Sequence, residues 1–368
     1  MKKKKVLIVG LTSGVGGVET FICNVVKNLD FNYIDLEFLM HQELNSKYIN
    51  ELSNINYKMN MVSGVKNNPI KFVIDLVKFF KNNKYDVVHL NECDSTFFIY
   101  VFPLLFSKKT KLIVHSHNGD SKTKKIHMIM KKIQERRTDV KWACSEIAAN
   151  WMFNDKNVTI IHNGIDLNNY KFSLEKRKKI RKELQIDDDC LVIVSIARFH
   201  AQKNHEKILS IFEKYWKKNK KSYLLLVGEG EEKNKIFSLS KSLECNSNIK
   251  FLGIRNDIPS IMCASDLLLM PSLFEGLPFV IVEAQACSLQ VLMSDTVSKE
   301  SKLTDLVEDY PLDSSDEDWA NKINQMLIKK IDRSNNNYQW EIAKKGYDIK
   351  AVSKLIESEY IMEMRKND

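Results

Sequence analysis

The chain has 368 residues, of which 44% are hydrophobic and 28% are charged, and its formal net charge is +9. This length exceeds what one compact core usually accommodates, so two domains are expected. The seven cysteines are scattered, odd in number and form no CxxC motif, which argues against a disulfide framework and against a zinc site.

Apolar runs are too short for a membrane span or a secretory signal. The longest, residues 97–106, has ten residues and includes Pro103, whereas a span needs about 20. The basic start, residues 1–5, is followed by only five apolar residues before polar, Gly-rich sequence. The composition therefore predicts a soluble, cytoplasmic protein.

The positive charge is concentrated in the first half of the chain. Residues 1–174 contain 25 Lys and Arg against 16 Asp and Glu, whereas residues 175–368 contain 31 of each. A codon bias toward Lys and Asn explains a basic chain, but such a bias would act on both halves. The asymmetry favours a first half that meets an anionic surface, either a membrane or a polyanion.

Short apolar runs alternate with longer amphipathic runs along the whole chain, which is typical of a parallel α/β fold. The predicted strands of the first half are 6–10, 36–40, 86–90, 111–115, 140–144 and 158–162. Those of the second half are 191–197, 223–227, 249–252, 267–270 and 290–294. The polar stretch 168–181 indicates a boundary. We therefore expect one domain at 1–168, a second at 169–350, and a closing helix at 351–368.

The strongest candidate site is the segment 271–284, which follows a predicted buried strand. Pro278 suits the first turn of a helix, so Glu275 lies in the preceding turn beside the amides of Gly276 and Leu277. Free amides and the helix dipole favour a phosphate there. Glu283 lies about a turn and a half into this helix, roughly 8 Å along its axis from the helix start, and the neighbouring helix residues are nearly all apolar. One carboxylate can reach sugar hydroxyls and the other a ribose; the alternative is two ordinary surface charges.

Two cations follow another predicted strand. Arg198 and Lys203 leave the strand 191–197 just before a helix that Asn204 is expected to cap. Fixed cations can stabilise the charge that develops on a departing nucleoside diphosphate without a metal. No Asp-x-Asp follows a strand to hold a divalent ion. Ordinary surface cations remain the alternative.

The turn after the first strand, residues 14–20, is Gly-rich and includes Gly16 and Gly17. In such a turn the backbone closely approaches another group, which is often a phosphate. It is not GxGxxG, and the next strand ends in Leu39–Met40–His41–Gln42, which contains no acid to hold a ribose. A nicotinamide-dependent dehydrogenase is therefore disfavoured.

Three further loops follow strands and contribute weaker candidates. His115 and His117 lie at the end of the strand 111–115, and we expect His117, further out, to contact the donor sugar or the acceptor, while His115 is structural. The loops at Gly228 and Ile254 can frame a nucleobase, or be plain turns.

Taken together, these motifs resemble family 4 of the retaining glycosyltransferases, over essentially the whole chain. The E-x7-E pair, Glu275 and Glu283, is combined with Arg198 and Lys203, with Gly16–Gly17–Val18–Glu19, with Asn163–Gly164–Ile165–Asp166 and with the His-Ser-His strand end. The chain is similar to bacterial capsular and exopolysaccharide enzymes. The resemblance implies the GT-B fold: two facing, doubly wound Rossmann-like domains with an interdomain cleft and a C-terminal closing helix. It also implies that 1–168 is the acceptor-binding domain, that 169–350 is the nucleotide-sugar-binding domain, and that the helix 351–368 packs back on the first domain.

The resemblance also implies roles for the site residues. Glu275 binds sugar hydroxyls, Glu283 the ribose, and Arg198 with Lys203 the diphosphate. The donor-binding set of the resemblance further includes Gly16, Gly17, Gly228, Ile254, Gly276, Leu277 and Pro278. His117 belongs beside the donor sugar. One departure from the family is Asn204, where many members have Gly.

The reaction implied by the resemblance is metal-free transfer of a hexose or N-acetylhexosamine from a nucleotide sugar, with UDP preferred. Transfer is expected on the front face of the sugar with retention, the leaving phosphate taking the acceptor's proton. The expected acceptor is a glycan on an undecaprenyl-diphosphate carrier.

The segment 122–137 predicts a basic amphipathic helix with the apolar stripe Ile126, Ile129, Met130 and Ile133. Such a helix is typical of a membrane-surface element, which would make the protein peripheral at the inner face of the plasma membrane. The alternative is that the stripe faces the domain core.

Two other functions remain open at this stage. A UDP-sugar epimerase shares the fold but has no use for the E-x7-E pair. A non-catalytic partner subunit of a transferase would be expected to have lost Glu275, Lys203 or Arg198, and all three are present. Nucleic-acid binding is disfavoured, because the cations are not interleaved with aromatic residues along a groove.

Overall fold

The structure, a computed structural model, describes residues 2–14, 16–64, 68–92, 95–106, 109–121, 124–329, 331–334 and 337–362. Two members of predicted motifs, Val15 and Lys122, lie outside these ranges. The chain forms two compact units: Met1–Ile165 with Gly346–Asp368, called the first unit, and Asp166–Lys345, called the second unit. In the described ranges, no helix is both long and apolar enough to cross a bilayer.

The first unit is built on a parallel sheet with the strand order β3-β2-β1-β4-β5-β6-β7 in its described residues. Its strands are β1 Lys4–Val9, β2 Ile34–Met40, β3 Lys58–Met61, β4 Val87–Glu92, β5 Lys111–Ser116, β6 Val140–Ala143 and β7 Thr159–Ile160. Its helices before residue 165 are α1 Gly17–Val26, α2 Ser46–Glu51, α3 Pro69–Asn82, α4 Lys124–Arg137 and α5 Glu146–Met152, with a 3₁₀ segment at Ser95–Phe106.

The second unit repeats this architecture with the strand order β10-β9-β8-β11-β12-β13. Its strands are β8 Leu191–Ile196, β9 Ser222–Val227, β10 Ile249–Gly253, β11 Leu267–Met270, β12 Gln290–Ser294 and β13 Val307–Tyr310. Its helices are α6 Leu174–Glu183, α7 His205–Lys218, α8 Lys233–Lys241, α9 Ile258–Ala264, α10 Phe279–Ala286, α11 Asp316–Ile328 and α12 Asn337–Lys344. Every registered strand pair in both sheets is parallel.

These two doubly wound sheets confirm the predicted fold class. The central strands, such as β5 and β11, are buried on both faces. Their sequences are therefore nearly continuous apolar runs. The sequence pattern does not predict β3 or β13. Both are short strands at the edge of a sheet, and both carry polar residues at partly exposed positions. The apolar pattern therefore misses these two polar edge strands, whereas the other two edge strands, β7 and β10, coincide with predicted runs.

The last helix, α13 Ile349–Ile361, packs on the first unit against α1 and β1. The Tyr360 hydroxyl lies 2.6 Å from Nδ1 of the buried His89. Lys111 Nζ donates to the Glu359 carbonyl at 2.9 Å. At the start of the helix, a Cβ on Gly164 would lie 2.8 Å from Ile349 Cα, so a glycine there permits the close approach of the two segments. These contacts make the tail part of the first unit.

Candidate functional site

The predicted site residues of the second unit gather where β8 and β11 end. These strands are neighbours at the centre of the sheet, and the strand order runs outward in opposite directions from this pair. The crevice at such a reversal, beyond the carboxyl ends of the strands, is where parallel sheets bind ligands. The loop 197–204 after β8 carries Arg198 and Lys203, and the loop 271–278 after β11 carries Glu275.

The two loops are joined by hydrogen bonds and by an ion pair. Gln202 anchors the contact, because its carbonyl accepts from Leu273 N at 2.8 Å and its Nε2 donates to the Phe274 carbonyl at 2.9 Å. Lys203 Nζ forms an ion pair with Glu275 Oε1. The side chains of this pair retain only 20% and 11% of their exposure. The cation and the carboxylate are thus held in a fixed, largely desolvated position.

Asn204 has a different role from the predicted helix cap. It precedes α7 with φ 55° and ψ 49°, and its side chain caps no helical amide. Instead Asn204 Nδ2 donates to the Pro271 carbonyl at 3.1 Å, a further link between the loops. The left-handed region favours Gly and tolerates Asn, since Asn bears a short polar side chain. This conformation explains why Asn can stand where the resemblance expects Gly.

A third loop, after β12, supports the Glu275 segment from the other side. Ser298 N donates to the Glu275 carbonyl at 3.0 Å. The Ser272 carbonyl accepts from Ser294 Oγ at 2.6 Å and from Thr296 Oγ1 at 2.7 Å. The backbone around Glu275 is therefore held by loops from two neighbouring strands, which fixes the direction of its side chain.

Glu283 lies on α10, and its Oε1 accepts a hydrogen bond from the Tyr170 hydroxyl at 2.6 Å. Burial and the Glu283 carboxylate both raise the pKa of Tyr170 above its usual range, so the phenol stays protonated and donates. Sequence reasoning missed Tyr170, because it lies in the polar stretch taken as a domain boundary. Pro278 precedes α10 as its N-cap residue, one position earlier than predicted, and a Cβ on Gly276 would meet nothing within 4 Å.

Arg198 is exposed, and in the described part of the chain it makes no ion pair or side-chain hydrogen bond. Its loop rests on the glycine turn after β9. A Cβ on Gly228 would lie 2.1 Å from the Ala197 carbonyl oxygen, and one on Gly230 would lie 2.2 Å from that of Phe199. Gly228 thus has a packing role beneath Arg198. Ile254, after β10 at the same edge of the sheet, is 75% exposed.

In the first unit, the predicted glycines lie where β1 leads into α1. Gly16 is the N-cap residue of α1 in an extended conformation, and Gly17 is the first residue of the helix. Glu19 stands close behind them, since a Cβ on Gly16 would lie 2.8 Å from Glu19 Oε2. Thr12 Oγ1 donates to Glu19 Oε1 at 2.5 Å. The turn leaves no room for a larger residue at position 16 while Glu19 keeps this place.

The two candidate histidines differ in burial. His115 is fully buried, its Nε2 lies 3.3 Å from the Ile161 carbonyl, and its ring stacks on that of His89. His117 is half-buried, with its Nε2 3.0 Å from Asn91 Oδ1. Burial of its ring lowers the pKa of His117 to about 3, so the side chain is neutral at physiological pH. Of the two, His117 is the one that reaches the surface.

Among the described residues, the acidic and thiol side chains close enough to share a metal ion are Asp187, Asp189 and Cys190. They precede β8, at the amino end of the sheet, whereas Lys203 and Glu275 lie at its carboxyl end. Both aspartates are exposed. This group therefore lies apart from the loops that carry the predicted site.

Comparison with known proteins identifies the family of the chain. Residues 176–345 match the family model described as glycosyl transferases group 1, and residues 15–169 match that described as glycosyltransferase family 4. Among curated relatives, the putative glycosyltransferase EpsF of Bacillus subtilis is 28% identical over 310 residues, covering 81% of this chain and 80% of EpsF. The UDP-Gal:alpha-D-GlcNAc-diphosphoundecaprenol alpha-1,3-galactosyltransferase of Escherichia coli is 28% identical over 242 residues, covering 61% of this chain and 62% of that enzyme.

Solved structures agree on the fold. Anabaena Alr3699/HepE in complex with UDP superposes with a TM-score of 0.78 at 19% sequence identity, covering 96% of this chain and 99% of that chain. At this level of identity the likeness concerns the fold, which is the GT-B fold of two parallel-sheet domains.

Proposed function

We propose that this chain, which belongs to the glycosyltransferases, transfers a hexose or N-acetylhexosamine from a UDP-sugar to a lipid-linked glycan. The transfer is proposed to retain the anomeric configuration. Family membership makes the chain an enzyme that transfers sugar; donor, acceptor and stereochemistry are the proposal. One observation carries it: the junction of the β8 and β11 loops places Lys203 and Glu275 together at the reversal of the strand order.

The diphosphate of the donor is proposed to bind at this junction. Arg198 is exposed and Lys203 is held nearby on the same loop, which supplies two cations for a group with two or more negative charges. The amides at the start of α10, after Pro278, add positive partial charge. Such a set stabilises the leaving diphosphate without a metal ion. The UDP complex of the HepE structure supports the choice of nucleotide.

Lys203 is paired with Glu275 in the structure, and donor binding is proposed to break this ion pair. A diphosphate competes with the carboxylate for Lys203, because it carries more charge. Once Lys203 turns to the phosphate, Glu275 is released to accept hydrogen bonds from sugar hydroxyls. Donor binding would thus exchange one ion pair for another and align the sugar in the same step.

Glu283 is proposed to bind the ribose, with Tyr170 as a positioning residue. The 2.6 Å bond from the Tyr170 hydroxyl fixes the rotamer of the carboxylate before a nucleotide arrives. A preoriented acceptor loses less side-chain entropy on binding than a mobile one. Ile254, exposed at the same edge, offers apolar contact for the base.

Retention is proposed to follow from transfer on one face of the sugar. The bond from the anomeric carbon to the phosphate oxygen breaks, the acceptor oxygen bonds on the same face, and the phosphate takes the acceptor's proton. Glu275 is proposed to orient the sugar through its hydroxyls rather than to act as a nucleophile. In the first unit, the backbone amides of Gly16 and Gly17 are proposed to bind the substrates. His117 is neutral and is therefore proposed to form a hydrogen bond with a substrate rather than to act as a general acid.

The acceptor is proposed to be a glycan on an undecaprenyl-diphosphate carrier. Support comes from the E. coli relative, whose name describes a galactosyltransferase for a diphosphoundecaprenol-linked sugar, and from the excess of cations in residues 1–174. An acceptor of this kind stays in a membrane, so the enzyme would work at the cytoplasmic surface of one.

The test is an assay with UDP-sugars and a polyprenyl-diphosphate-linked sugar in the presence of EDTA. Proton NMR of the product gives the anomeric configuration. The proposal expects transfer with retention, insensitive to EDTA and lost in Lys203→Met. Transfer with inversion, or transfer that stops when EDTA is added, would contradict it.

A further inference from the structure

Helix α4 turns its polar side toward the protein and its isoleucines toward solvent. Its buried residues are His127, Lys131, Gln134 and Arg137. Ile126, Ile129 and Ile133, of the predicted apolar stripe, are 54%, 68% and 42% exposed. Only Met130 of that stripe is partly buried and packs against the core. The alternative interpretation, that the stripe faces the domain core, is therefore wrong for its three isoleucines.

This orientation is fixed by hydrogen bonds from the inner face. Lys131 Nζ donates to the Trp151 carbonyl at 2.9 Å, and the His127 ring stacks on the Trp151 ring at 4.0 Å. Arg137 donates to the carbonyls of Leu104 and Thr110, each at 2.7 Å. Turning the helix to bury the isoleucines would leave these polar groups without partners, which is costly. The exposed stripe is thus a stable feature of the unit.

The 3₁₀ segment beside α4, and α3 on the other side of that segment, also expose apolar side chains. The 3₁₀ segment Ser95–Phe106 contacts both α3 and α4, and Phe106 at its end is 90% exposed. Helix α3 buries Phe72, Leu76 and Phe80. Its exposed side carries Ile70, Val73, Ile74 and Val77. We call the exposed side of α3, Phe106 and α4 the docking face. Exposed apolar side chains on elements that pack side by side indicate an interaction site.

Cations are interleaved with these apolar residues. The exposed cations of the docking face are Lys71, Lys78, Lys81, Lys124, Lys125, Lys132 and Arg136. Lys124 pairs with Asp120, outside the helix, but both side chains are largely exposed.

The acids on the two helices are engaged by the protein itself. Asp75 accepts from Ser63 Oγ at 2.6 Å, and Glu135 accepts from the backbone amides of Asn154 at 2.9 Å and Asp155 at 3.0 Å. What α3 and α4 present to a partner is therefore positive.

We infer that the docking face binds the anionic surface of a lipid bilayer. The isoleucines and Phe106 enter the boundary between headgroups and acyl chains, while the lysines meet lipid phosphates. A second copy of the chain is a poorer occupant, because apposed faces would bring like charges together. The need for membrane contact rests on the proposed lipid-linked acceptor, whereas the location of the face rests on α3 and α4 alone.

The test is sedimentation of the full chain with vesicles of phosphatidylcholine alone or with about 30% phosphatidylglycerol, at low salt. We expect binding at least about tenfold stronger to the anionic vesicles, falling as salt is raised. The variant Ile126→Asn/Ile129→Asn/Ile133→Asn should lose about tenfold or more of that binding. A matched control, Ile49→Asn/Leu174→Asn/Ile328→Asn, changes three exposed apolar residues outside the face and should bind like the native chain.

Three outcomes would overturn the inference: equal sedimentation with both vesicle types, retained binding in the α4 variant, or concentration-dependent dimerisation of the native chain that the α4 variant abolishes. The thermal shift given by UDP in solution is measured on the same variants. If UDP stabilises all of them while vesicle binding fails, the docking face is refuted and the proposed donor site stands. If vesicle binding holds while UDP has no effect, the proposed function fails and the docking face stands.

Discussion

Lys203 Nζ and Glu275 Oε1 form an ion pair across the two central loops of the second unit, although the residues are 72 positions apart in the chain. The pair exists because β8 and β11 are adjacent strands that end at the same edge of the sheet. Its low exposure makes each charge dependent on the other, since a partly buried charge without a partner is costly. The same two residues are therefore expected to contribute to both stability and catalysis.

Removing Lys203 should impair both properties. For Lys203→Met we expect kcat/KM to fall about 10²–10³-fold, as for loss of one preorganised group that stabilises the leaving charge. The midpoint of thermal unfolding should fall as well, because Glu275 loses its partner. In the double variant Lys203→Met/Glu275→Gln, stability should partly recover while activity does not. Lys221→Met, which removes the exposed pair with Asp189, is the control and should leave both nearly unchanged.

Tyr170→Phe should weaken donor binding more than it slows the chemical step. The variant removes the 2.6 Å hydrogen bond to Glu283 and leaves the aromatic ring in place. We expect the KM for the donor to rise roughly fivefold to tenfold, the equivalent of about 1–1.5 kcal/mol, with kcat changed less than twofold. Steady-state kinetics with varied UDP-sugar measure both terms. A fall in kcat at constant KM would show that Tyr170 does not act by positioning Glu283.

Two glycines at the carboxyl edge of the second sheet should differ in their response to the same substitution. Gly228 has φ 138°, and a Cβ there collides with the Ala197 carbonyl, whereas a Cβ at Gly276 meets open space. Gly228→Ala should cost about 2–4 kcal/mol of unfolding free energy and displace the Arg198 loop, so affinity for UDP falls too. Gly276→Ala should leave the unfolding temperature unchanged. The midpoint of thermal unfolding is measured for both variants. Equal changes in this midpoint would refute the close approach of Gly228 to the β8 loop.

Acid should destabilise the first unit through its buried histidines. Burial lowers the pKa of His89 and His117 to about 3 and that of His115 well below its usual range. Because the unfolded chain takes up protons near pH 6.5 and the folded chain does not, stability is full above that pH and declines as pH falls toward 3. Each histidine contributes at most about 1.4 kcal/mol per pH unit.

Urea unfolding at pH 7.5, 6.5 and 5.5 measures this slope. His89→Asn should reduce it, whereas His200→Asn, at a more exposed position, should change it less. A free energy of unfolding that rises between pH 6.5 and 5.5 would contradict the neutral state of the three rings.

The fold was predictable from the sequence wherever a strand forms an apolar run, which includes the edge strands β7 and β10, but not at the polar edge strands β3 and β13. The polar residues of β3 and β13 interrupt the apolar pattern, so nothing local marks them as strands. For α4 the periodicity gave the stripe Ile126, Ile129 and Ile133, but periodicity does not reveal which side of a helix meets the core. That choice depends on Trp151 and Leu104, whose carbonyls bind the polar side.

The candidate site was predictable to the extent that it follows strands. Glu275, Arg198 and Lys203 stand directly after apolar runs, which places them at the carboxyl edge of a parallel sheet. Their pairing was not predictable, because it depends on which strands are neighbours. Tyr170 carried no signal at all, since a single tyrosine in a polar stretch looks the same whether it is exposed or bonded to Glu283.

Calorimetric titration of UDP in the presence of EDTA tests most directly whether the junction of the β8 and β11 loops holds the donor diphosphate. UDP is expected to bind the native chain without metal, with affinity about 10–100-fold lower in Lys203→Met and unchanged in Lys221→Met. Equal affinity in the native chain and Lys203→Met would contradict this expectation, as would binding that appears only when a divalent cation is added.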